Sequence, residues 1–166
     1  MLVGASEQFA MEYEIVPSPG RAILGHFRMW ANGREIGDFQ DVLVLTAVQA
    51  QIEHSLRFAD RLADPALLAA DKADAVRIIQ ETLYGASVPL SLKYARFNLT
   101  DVGLTSFDRL WVFLIATPTE QRLLWRKKKG LDVGEVGFPV GTYETVAREF
   151  LRVFGTEISN HSHLRH

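Results

Sequence analysis

The residues best suited to chemistry in this sequence are its five histidines, because an imidazole can bind a metal or move a proton near neutral pH. A metal site needs several ligands that converge. His26 and His54 have no carboxylate or second histidine at a ligand spacing, so we interpret both as structural residues. The tract of His161, His163 and His166 can bind a transition metal weakly, but terminal disorder is the favoured interpretation. We therefore predict no metal site.

No other group of residues has the spacing of a catalytic or cofactor-binding motif. The sequence contains no cysteine, which excludes disulfides, thiol catalysis and cysteine-ligated zinc. Gly130, Gly134, Gly137 and Gly141 match neither a phosphate-binding loop nor a dinucleotide fingerprint, and they favour turns. There is no nucleophile elbow, and Ser106 has no base at a recognisable spacing. We predict a protein that is not an enzyme and that needs no cofactor.

Residues suited to binding a protein are better candidates. Several acids fall close together in the first part of the chain: Glu12, Glu14, Glu35, Asp38 and Asp41. A shared acidic surface would attract a basic partner, although an ordinary solvated face is the alternative for each residue. Trp30 is a candidate interface anchor, since tryptophan is enriched among residues that dominate binding, and its alternative is a core position beneath the first helix. The predicted protein-binding residues are Trp30, Glu35, Asp38 and Asp41.

A run of four cations, Arg126-Lys127-Lys128-Lys129, has a type of charge that can contact phosphate. A solvated hairpin tip, or a sheet edge protected against aggregation, is favoured because no basic groove is evident beside it. The formal net charge is −2 and the pI about 6.2. This balance excludes the strongly basic character of a general nucleic-acid binder, so we predict no nucleic-acid partner.

The elements that must position these residues are organised around the stretch from Ser106 to Lys127, which is typical of two strands joined by a polar turn. Leu110 to Ile115 is apolar without alternation, which indicates a strand covered on both faces. Trp111 and Trp125 are expected to anchor the core, because a buried tryptophan covers roughly 150–250 Å².

The first part of the chain predicts a meander. Phe9 to Val16 and Ile23 to Ala31 alternate with period two, as strands with one wet face do. Asn32-Gly33 provides the two positive-φ residues of a type I′ turn, and Arg34 to Ile36 follows as a short third strand. In the second strand Phe27 and Met29 share one face, and the opposite face carries His26, Arg28 and Trp30.

Apolar spacing from Val42 to Leu62 predicts a helix of about five turns, capped by Asp38 or Asp41. Asp64-Pro65 and Asp71 are further helix starts, and whether one bent helix or two follow is left open.

The pattern after these helices is less regular. Residues 87–104 favour extended chain, and 130–140 favour a turn, a short strand and a loop. The last helix is predicted to begin at a Thr142 cap and to end at Gly155.

These elements predict an α+β protein, in which an antiparallel sheet of meander and central hairpin packs against two to four helices. The 166 residues favour a single domain over 1–159, followed by a flexible histidine-containing tail over 160–166. No apolar run approaches the roughly 20 residues that span a bilayer, and the N-terminus lacks the basic region of a signal peptide. We predict a cytoplasmic protein with no membrane partner.

Several segments also form a family pattern: FAMEYEIV, then GHFRMWANGREIGD before a long helix, and later FNLTDVGLTSFD before paired strands that contain LLWR. In these segments the chain resembles the immunity protein 42 family of bacterial polymorphic toxin systems, over roughly residues 1–154. The most specific parts are Gly25 to Asp38 and Val102 to Asp108, with Trp125 as a further match. The resemblance implies a protein that protects its producer by binding a cognate toxin domain, and it carries over no site residues.

Three functions remain open at this stage. The favoured one is an immunity protein that neutralises a toxin by forming a stoichiometric complex. The second is a small-molecule-binding domain or an enzyme that uses a pocket between sheet and helices. The third is a structural or assembly subunit. The neighbouring gene would discriminate between them, and the oligomeric state is left open.

Overall fold

Two antiparallel sheets contain the strands of the computed structural model, which describes residues 1–18, 22–85, 88–100 and 104–163. The first sheet consists of β1 (Leu2–Ala5), β2 (Phe9–Val16), β3 (Leu24–Ala31), β4 (Arg34–Ile36) and β5 (Leu43–Val44). Its order is β1-β2-β3-β4, and β5 also pairs with β3. The second sheet consists of β6 (Leu110–Ala116), β7 (Glu120–Lys127) and β8 (Val133–Pro139), in that order.

The described ranges contain five α-helices beside the sheets: α1 (Leu45–Leu56), α2 (Pro65–Ala69), α3 (Lys72–Gly85), α4 (Val88–Ala95) and α5 (Thr142–His163). Short 3₁₀ turns lie at Ala59–Arg61 and Thr105–Phe107. The α+β class is confirmed. The predicted meander and the predicted hairpin lie in separate sheets and not in a single one, and the described residues contain five helices where two to four were expected. Within the described residues, no helix is long and apolar enough to cross a membrane.

The core forms where α5 packs against the first sheet. The Tyr13 ring of β2 lies 5.3 Å from the rings of both Phe150 and Phe154, in edge-on geometry. Phe27 of β3 also meets Phe150 edge-on, at 5.7 Å, and it lies 5.9 Å from Phe107 in the second 3₁₀ turn. All five rings are buried. Aromatic pairs of this kind add stabilisation beyond the area they bury, so they join the first sheet to α5 and to the segment that leads into β6.

Strand β6 is covered on both faces as predicted, since Val112 to Ala116 are all buried. The prediction that Trp111 and Trp125 anchor the core is wrong, because both are only partly buried. Trp111 lies at the start of β6, where its ring is 5.1 Å from the Tyr84 ring and beneath the Lys128 ammonium at 4.6 Å. The strand end thus places this indole at the margin of the core.

The first helix is shorter than predicted, and neither Asp38 nor Asp41 caps it. It spans 12 residues from Leu45, with Val44 at the cap position and no side-chain cap bond. The apolar residues before it belong to the first sheet instead, because β5 pairs with the start of β3. Backbone pairing with a distant strand therefore overrides the helical spacing that begins at Val42.

The helix starts at Asp64 and Asp71 are confirmed, and two separate helices follow. The Asp64 carboxylate accepts from the amides of Ala66 and Leu67 at 3.1 Å, and the Asp71 carboxylate accepts from Ala73 at 2.8 Å.

Residues 87–104 were expected to be extended, but α4 occupies Val88–Ala95. Pro89 is the second residue of this helix, where a missing N–H costs no helical hydrogen bond. After α4, Leu99 donates to the Val112 carbonyl at 2.9 Å, and Asn98 forms an isolated bridge with Phe113. Residues 101–103 lie outside the described part of the chain.

The last helix differs from prediction at both ends. Thr142 donates its hydroxyl to the Pro139 carbonyl, and the buried Gln121 of β7 provides the acceptor for the Tyr143 amide at 3.0 Å. Helix α5 also continues through Gly155 to His163, so the predicted end is wrong. Tyr13 donates to Glu157 at 2.5 Å, beyond the predicted end.

This Tyr13 hydrogen bond holds the later turns of α5 against the sheet, and burial together with that bond raises the pKa of Tyr13. The helix includes residues 160–163 of the predicted tail. Residues 164–166 lie outside the described part of the chain. The flexibility of the tail and the division of the chain at residue 159 stay predictions.

The Asn32-Gly33 turn is confirmed, with φ of 50° at Asn32 and 69° at Gly33. A Cβ built at Gly33 meets no heavy atom within 4 Å, so a larger residue there is opposed by the backbone alone. We expect Gly33→Val to lower the free energy of unfolding by about 1–2 kcal/mol. Gly33→Asn is the matched control, because asparagine tolerates left-handed φ. Urea melts in which the two variants lose equal stability would contradict the argument.

The burial pattern of β6 gives a second prediction. Phe113 is fully buried, so we expect Phe113→Ala to cost about 3–5 kcal/mol of unfolding free energy. Trp111→Ala should cost less, about 1–2 kcal/mol, since its indole is already partly in water. Urea denaturation of both variants measures the difference, and a larger loss for Trp111→Ala would restore the tryptophan as a core anchor.

Candidate functional site

The outer face of β3 carries the half-buried side chains of the candidate site. Alternation along the strand turns Phe27 and Met29 into the core, and the opposite face carries His26, Arg28 and Trp30. The helices α1 and α5 pack on the core side, where Leu45 adjoins Gly25 and Phe150 meets Phe27. Trp30 is therefore an outward-facing residue, and the alternative of a core position beneath the first helix is excluded.

Arg28 organises this face through four contacts. Its Nε donates to Glu12 Oε2 at 2.7 Å, and its Nη1 lies 2.9 Å from Glu35 Oε2. Its guanidinium carbon lies 4.6 Å from the centroid of the Trp30 ring and 4.3 Å from that of Phe39. The carboxylates and the aromatic rings engage the same planar group, which fixes its orientation.

Glu12 holds two donors of this cluster at once. Its Oε2 accepts from Arg28 Nε and from Trp30 Nε1, the second at 2.8 Å. Burial raises the pKa of the Glu12 carboxyl, but the hydrogen bonds and the positive charge of Arg28 outweigh burial and leave that pKa below its ordinary value. The carboxylate is therefore charged at neutral pH and fixes Trp30 and Arg28 relative to each other.

The loop between β4 and β5 fastens this face to the second half of the chain. The Asp38 amide donates to the Ser106 carbonyl at 3.0 Å, while Asp38 Oδ1 accepts from the Gln40 amide at 3.0 Å. Gly37 makes the close approach possible, because it has φ of 111° and a Cβ there would lie 3.0 Å from the Phe107 ring. The loop is thus a fixed wall, held by a side chain–backbone turn and a backbone bond.

A groove of about 680 Å³ lies between this loop and the start of the second sheet. From the first sheet and its loop it is lined by Arg28, Glu35, Gly37, Asp38, Phe39, Gln40 and Asp41. From the other side it is lined by Thr105, Ser106, Asp108, Arg109, Leu110 and Lys127. The lining contains four carboxylates and three cationic side chains.

The structure brings most of the predicted binding residues together. Glu35, Asp38 and Asp41 line the same groove, and Trp30 lies beside it through its contact with Arg28. Asp41 also presents its carbonyl to His26 Nδ1 at 3.2 Å. This grouping makes the four residues one surface, while their role in binding a protein stays a prediction.

Three residues of this groove were not among the predicted binding residues: Arg28, Ser106 and Asp108. Arg28 was placed on the correct face, and Glu12 and Glu35 were among the acids of the predicted surface, but their ion pairs with Arg28 were not predicted. Ser106 and Asp108 were placed in a segment of the family resemblance, but they were not predicted to line a groove with Asp38. Their proximity to Asp38 depends on contacts between residues about 70 positions apart, which strand periodicity does not reveal.

The cation run ends β7 and begins the turn that follows. β7 is the middle strand of its sheet, so the interpretation as a protected sheet edge is wrong, whereas the exposed positions of Lys127, Lys128 and Lys129 fit a solvated tip. Arg126 differs from its neighbours, because its guanidinium donates to Gln80 of α3.

Among the described residues that line it, the groove carries no constellation typical of catalysis. Ser106, its only buried hydroxyl in the part of the chain that the structure describes, has no imidazole or lysine hydrogen-bonded to it. No group of three or more metal-ligating side chains suited to a metal occurs in the described ranges. Aromatic residues and arginine, both present here, are the residue types enriched at protein interfaces.

Comparisons with known proteins give a family match and a structural match. The family model for immunity protein 42 matches residues 1–153. Among solved structures, the chain is similar to the crystal structure of CdiI from Burkholderia dolosa AUO158, with a TM-score of 0.76 and 18% sequence identity. That match covers 92% of this chain and 99% of the other, and at this identity it shows a shared fold. No curated protein matches the chain.

The Glu12 cluster makes a prediction about pH. We expect Glu12→Gln to lower the free energy of unfolding at pH 7 by about 1–2 kcal/mol, since charged hydrogen bonds of a partly exposed group are lost. The folded-state pKa of Glu12 is depressed, so its contribution is full above the ordinary glutamate pKa and disappears as pH falls through the lower folded value. The difference between wild type and variant should therefore shrink in acid.

Glu14→Gln is the matched control, because Glu14 lies on the same strand face and is exposed. Urea melts across the pH range should show little loss for this variant at any pH. If the loss of unfolding free energy in Glu12→Gln stayed the same at pH values below the folded-state pKa of Glu12, the electrostatic explanation would be contradicted.

Proposed function

This chain belongs to the immunity protein 42 family, and from that premise we propose that it neutralises its cognate toxin by stoichiometric binding through the Arg28 face and the adjoining groove. The observation that carries the function is the family match over nearly the whole chain. An inhibitor of this kind needs a stable scaffold and a complementary surface, and it needs no nucleophile. We accordingly propose a non-enzymatic inhibitor whose partner is a toxin protein.

The proposed binding surface combines the predicted residues Trp30, Glu35, Asp38 and Asp41 with Arg28. Tryptophan and arginine are enriched among the residues that carry most of the energy of a protein interface. Here the two are in contact, half-buried and next to a groove, which is the environment in which such residues anchor a partner. A stable complex would bury about 800 Å² on each partner, so the surface must extend beyond this cluster.

The Arg28 cluster also lowers the cost of binding. Immobilising a long side chain at an interface costs about 0.5–1.5 kcal/mol of conformational entropy. Arg28 is already held by two carboxylates and two rings before any partner arrives. The Arg28 side chain is therefore already ordered in the folded protein. A partner that contacts it does not have to offset the conformational entropy of immobilising it.

The charges of the loop support a basic partner. The carboxylates of Asp38 and Asp41 form no ion pair within the described residues, so each presents its full charge to solvent. Unpaired surface charge of one sign accelerates the encounter with a surface of the opposite sign.

A small-molecule site is the alternative function. The groove volume of about 680 Å³ falls in the range of ligand pockets, roughly 300–1,000 Å³. Its lining favours the protein partner instead, because small-molecule pockets are mainly apolar with a few polar groups, and this groove carries seven charged side chains.

The direct test is co-expression with the toxin domain encoded by the neighbouring gene. Wild-type protein should restore growth, and the two chains should co-purify at equal stoichiometry. A core variant such as Phe113→Ala, if it unfolds, should lose protection. The proposal fails if the two purified proteins do not associate, or if an unfolded variant protects as well as the wild type.

The acidic loop gives a sharper prediction. We expect the double variant Asp38→Lys/Asp41→Lys to slow association with the toxin domain by about 10-fold at low salt, in the range that electrostatic steering covers. The rate should also depend less on salt than it does for wild type. Stopped-flow association at several salt concentrations measures both effects.

The control for this variant is Asp38→Asn, which keeps an oxygen for the Gln40 amide and so preserves the loop. Asp41 caps no helix, because α1 begins at Leu45 without a side-chain cap, so its replacement leaves that helix start intact. An unchanged association rate in the double variant would refute the acidic-face prediction while leaving toxin binding itself intact.

A further inference from the structure

The turn between β7 and β8 carries the most exposed large hydrophobic side chain of the described ranges. Leu131 is 91% exposed, against 66% for Tyr84, the next in order. It comes shortly after three exposed lysines at 127–129, and the Gly130 amide closes the turn by donating to the Lys127 carbonyl at 2.9 Å. A single exposed leucine is ordinary on a protein surface, so its neighbours decide whether this one marks a contact site.

Two aromatic side chains lie beside this turn. The Lys128 ammonium lies 4.6 Å from the centroid of the Trp111 ring, and the Tyr84 ring lies 5.1 Å from the same indole. Trp111 is half-buried and nearly parallel to the ring of the buried Phe113, whereas Tyr84 is mostly in water. The turn after β7, the start of β6 and the end of α3 thus meet at one end of the second sheet.

The same end of the second sheet carries four cations that form no ion pair within the described residues. They are Arg109 and the lysines at 127–129, and all four are exposed. The Lys128 amide donates to the Arg109 carbonyl at 2.8 Å, which holds these segments together. Asp108 and Asp132 are the acids nearest to them in the chain, so the local balance is positive in a protein whose formal net charge is −2.

We propose that this end of the second sheet binds an acidic surface of the toxin domain, which has an apolar recess for Leu131. We name it the cationic tip, and it consists of Arg109, Trp111, Lys127, Lys128, Lys129 and Leu131. The inference rests on the proposed function, because it gives the chemistry of a second region of the toxin.

The position of the cationic tip supports this partner. Arg109 and Lys127 line the far wall of the groove, so the tip continues the proposed binding surface on the side opposite Arg28. A stable complex buries about 800 Å² on each partner, and the tip supplies area beyond the Arg28 cluster.

The chemistry of the tip favours an acidic protein surface over a nucleic acid. Single-stranded nucleic acid needs free aromatic rings on which bases stack, whereas the Trp111 ring already contacts Lys128 and Tyr84. Leu131 is aliphatic and almost wholly in water, and its burial in a partner would stabilise the complex. The Trp111 contact also orders the Lys128 ammonium before a partner arrives, which lowers the entropy lost on binding.

The charge of the partner is tested by Lys127→Glu/Lys129→Glu, with the purified toxin domain encoded by the neighbouring gene as the probe. This double variant spares Lys128 and so keeps its contact with Trp111. It should slow association about 10-fold at low salt, because an attraction becomes a repulsion, and the difference from wild type should shrink as salt is added. A basic toxin surface over the tip would produce the opposite sign, a faster association. Stopped-flow measurements at several salt concentrations give the rates.

Arg61→Glu/Lys72→Glu is the matched control, because it changes the net charge by the same amount. Both residues are exposed, and neither forms an ion pair within the described residues. Arg61 is close in the chain to Ala63, which bridges to the end of β6 away from the tip, and Lys72 begins α3, whose other end carries Tyr84. The control should associate at the wild-type rate.

The apolar contact is tested separately by Leu131→Ala. This variant should raise the dissociation constant about 10-fold at every salt concentration, because it removes buried area and no charge. The free variant should melt at the wild-type temperature, since the leucine is almost wholly in water. Val140→Ala is the matched control: Val140 is 48% exposed and follows the other end of β8, so its replacement should keep wild-type affinity.

Four outcomes decide the matter. Weaker binding by both tip variants, with both controls unchanged, supports the proposal. Wild-type affinity in both tip variants, or faster association by Lys127→Glu/Lys129→Glu, overturns it and leaves the immunity function standing. Tip variants that lose only the binding of a labelled single-stranded oligonucleotide, or of vesicles containing phosphatidylglycerol, also overturn it. If the wild type does not bind the toxin domain, the proposed function fails and this inference fails with it.

Discussion

The burial of one face of β3 is the constraint on which the rest of the surface depends. Successive side chains of a strand alternate, so packing Phe27 and Met29 against α5 and the core obliges Arg28 and Trp30 to face outward. A slip of the register by one residue would bury the arginine and expose the phenylalanine. The Asn32-Gly33 turn prevents such a slip, because its left-handed residues set the pairing of β3 with β4. The core thus determines where the outward-facing residues lie.

A second constraint joins the two sheets at the groove. Phe107 packs on Phe27 from one side, and Gly37 approaches its ring so closely that a Cβ would lie at 3.0 Å. This contact, with the backbone bond from Asp38 to Ser106, brings the loop after β4 against the turn before β6. The groove is therefore a consequence of core packing between distant segments. Its walls belong to parts of the chain whose relative position the hydrophobic core fixes, which is why we expect it to keep its shape when a partner binds.

The features that the sequence predicted correctly are those that depend on residues close together in the chain. The alternation of β3, the positive φ at Gly33 and the caps at Asp64 and Asp71 each depend on a few neighbouring residues, and the structure has them as expected. The errors occur where distant residues compete. The α5 amide at Tyr143 finds its acceptor in Gln121, a strand residue with no periodic signal, so the cap was assigned to Thr142. The acids of the surface were named from the sequence, but the role of Arg28, which binds the carboxylates of Glu12 and Glu35, was not predicted.

The charges of this surface divide into two groups with different physical roles. Glu12 and Glu35 are bound to Arg28 and so contribute to the order of the folded face. Asp38, Asp41 and Asp108 form no ion pair in the described ranges, and exposed charges of this kind contribute little to stability. Replacing these carboxylates by amides is expected to change the charge of the groove and to keep the fold, because an asparagine at position 38 retains the acceptor for the Gln40 amide. Because discrimination between partners is a difference of affinities, we expect the carboxylates that form no ion pair to contribute more to the choice of partner than to stability.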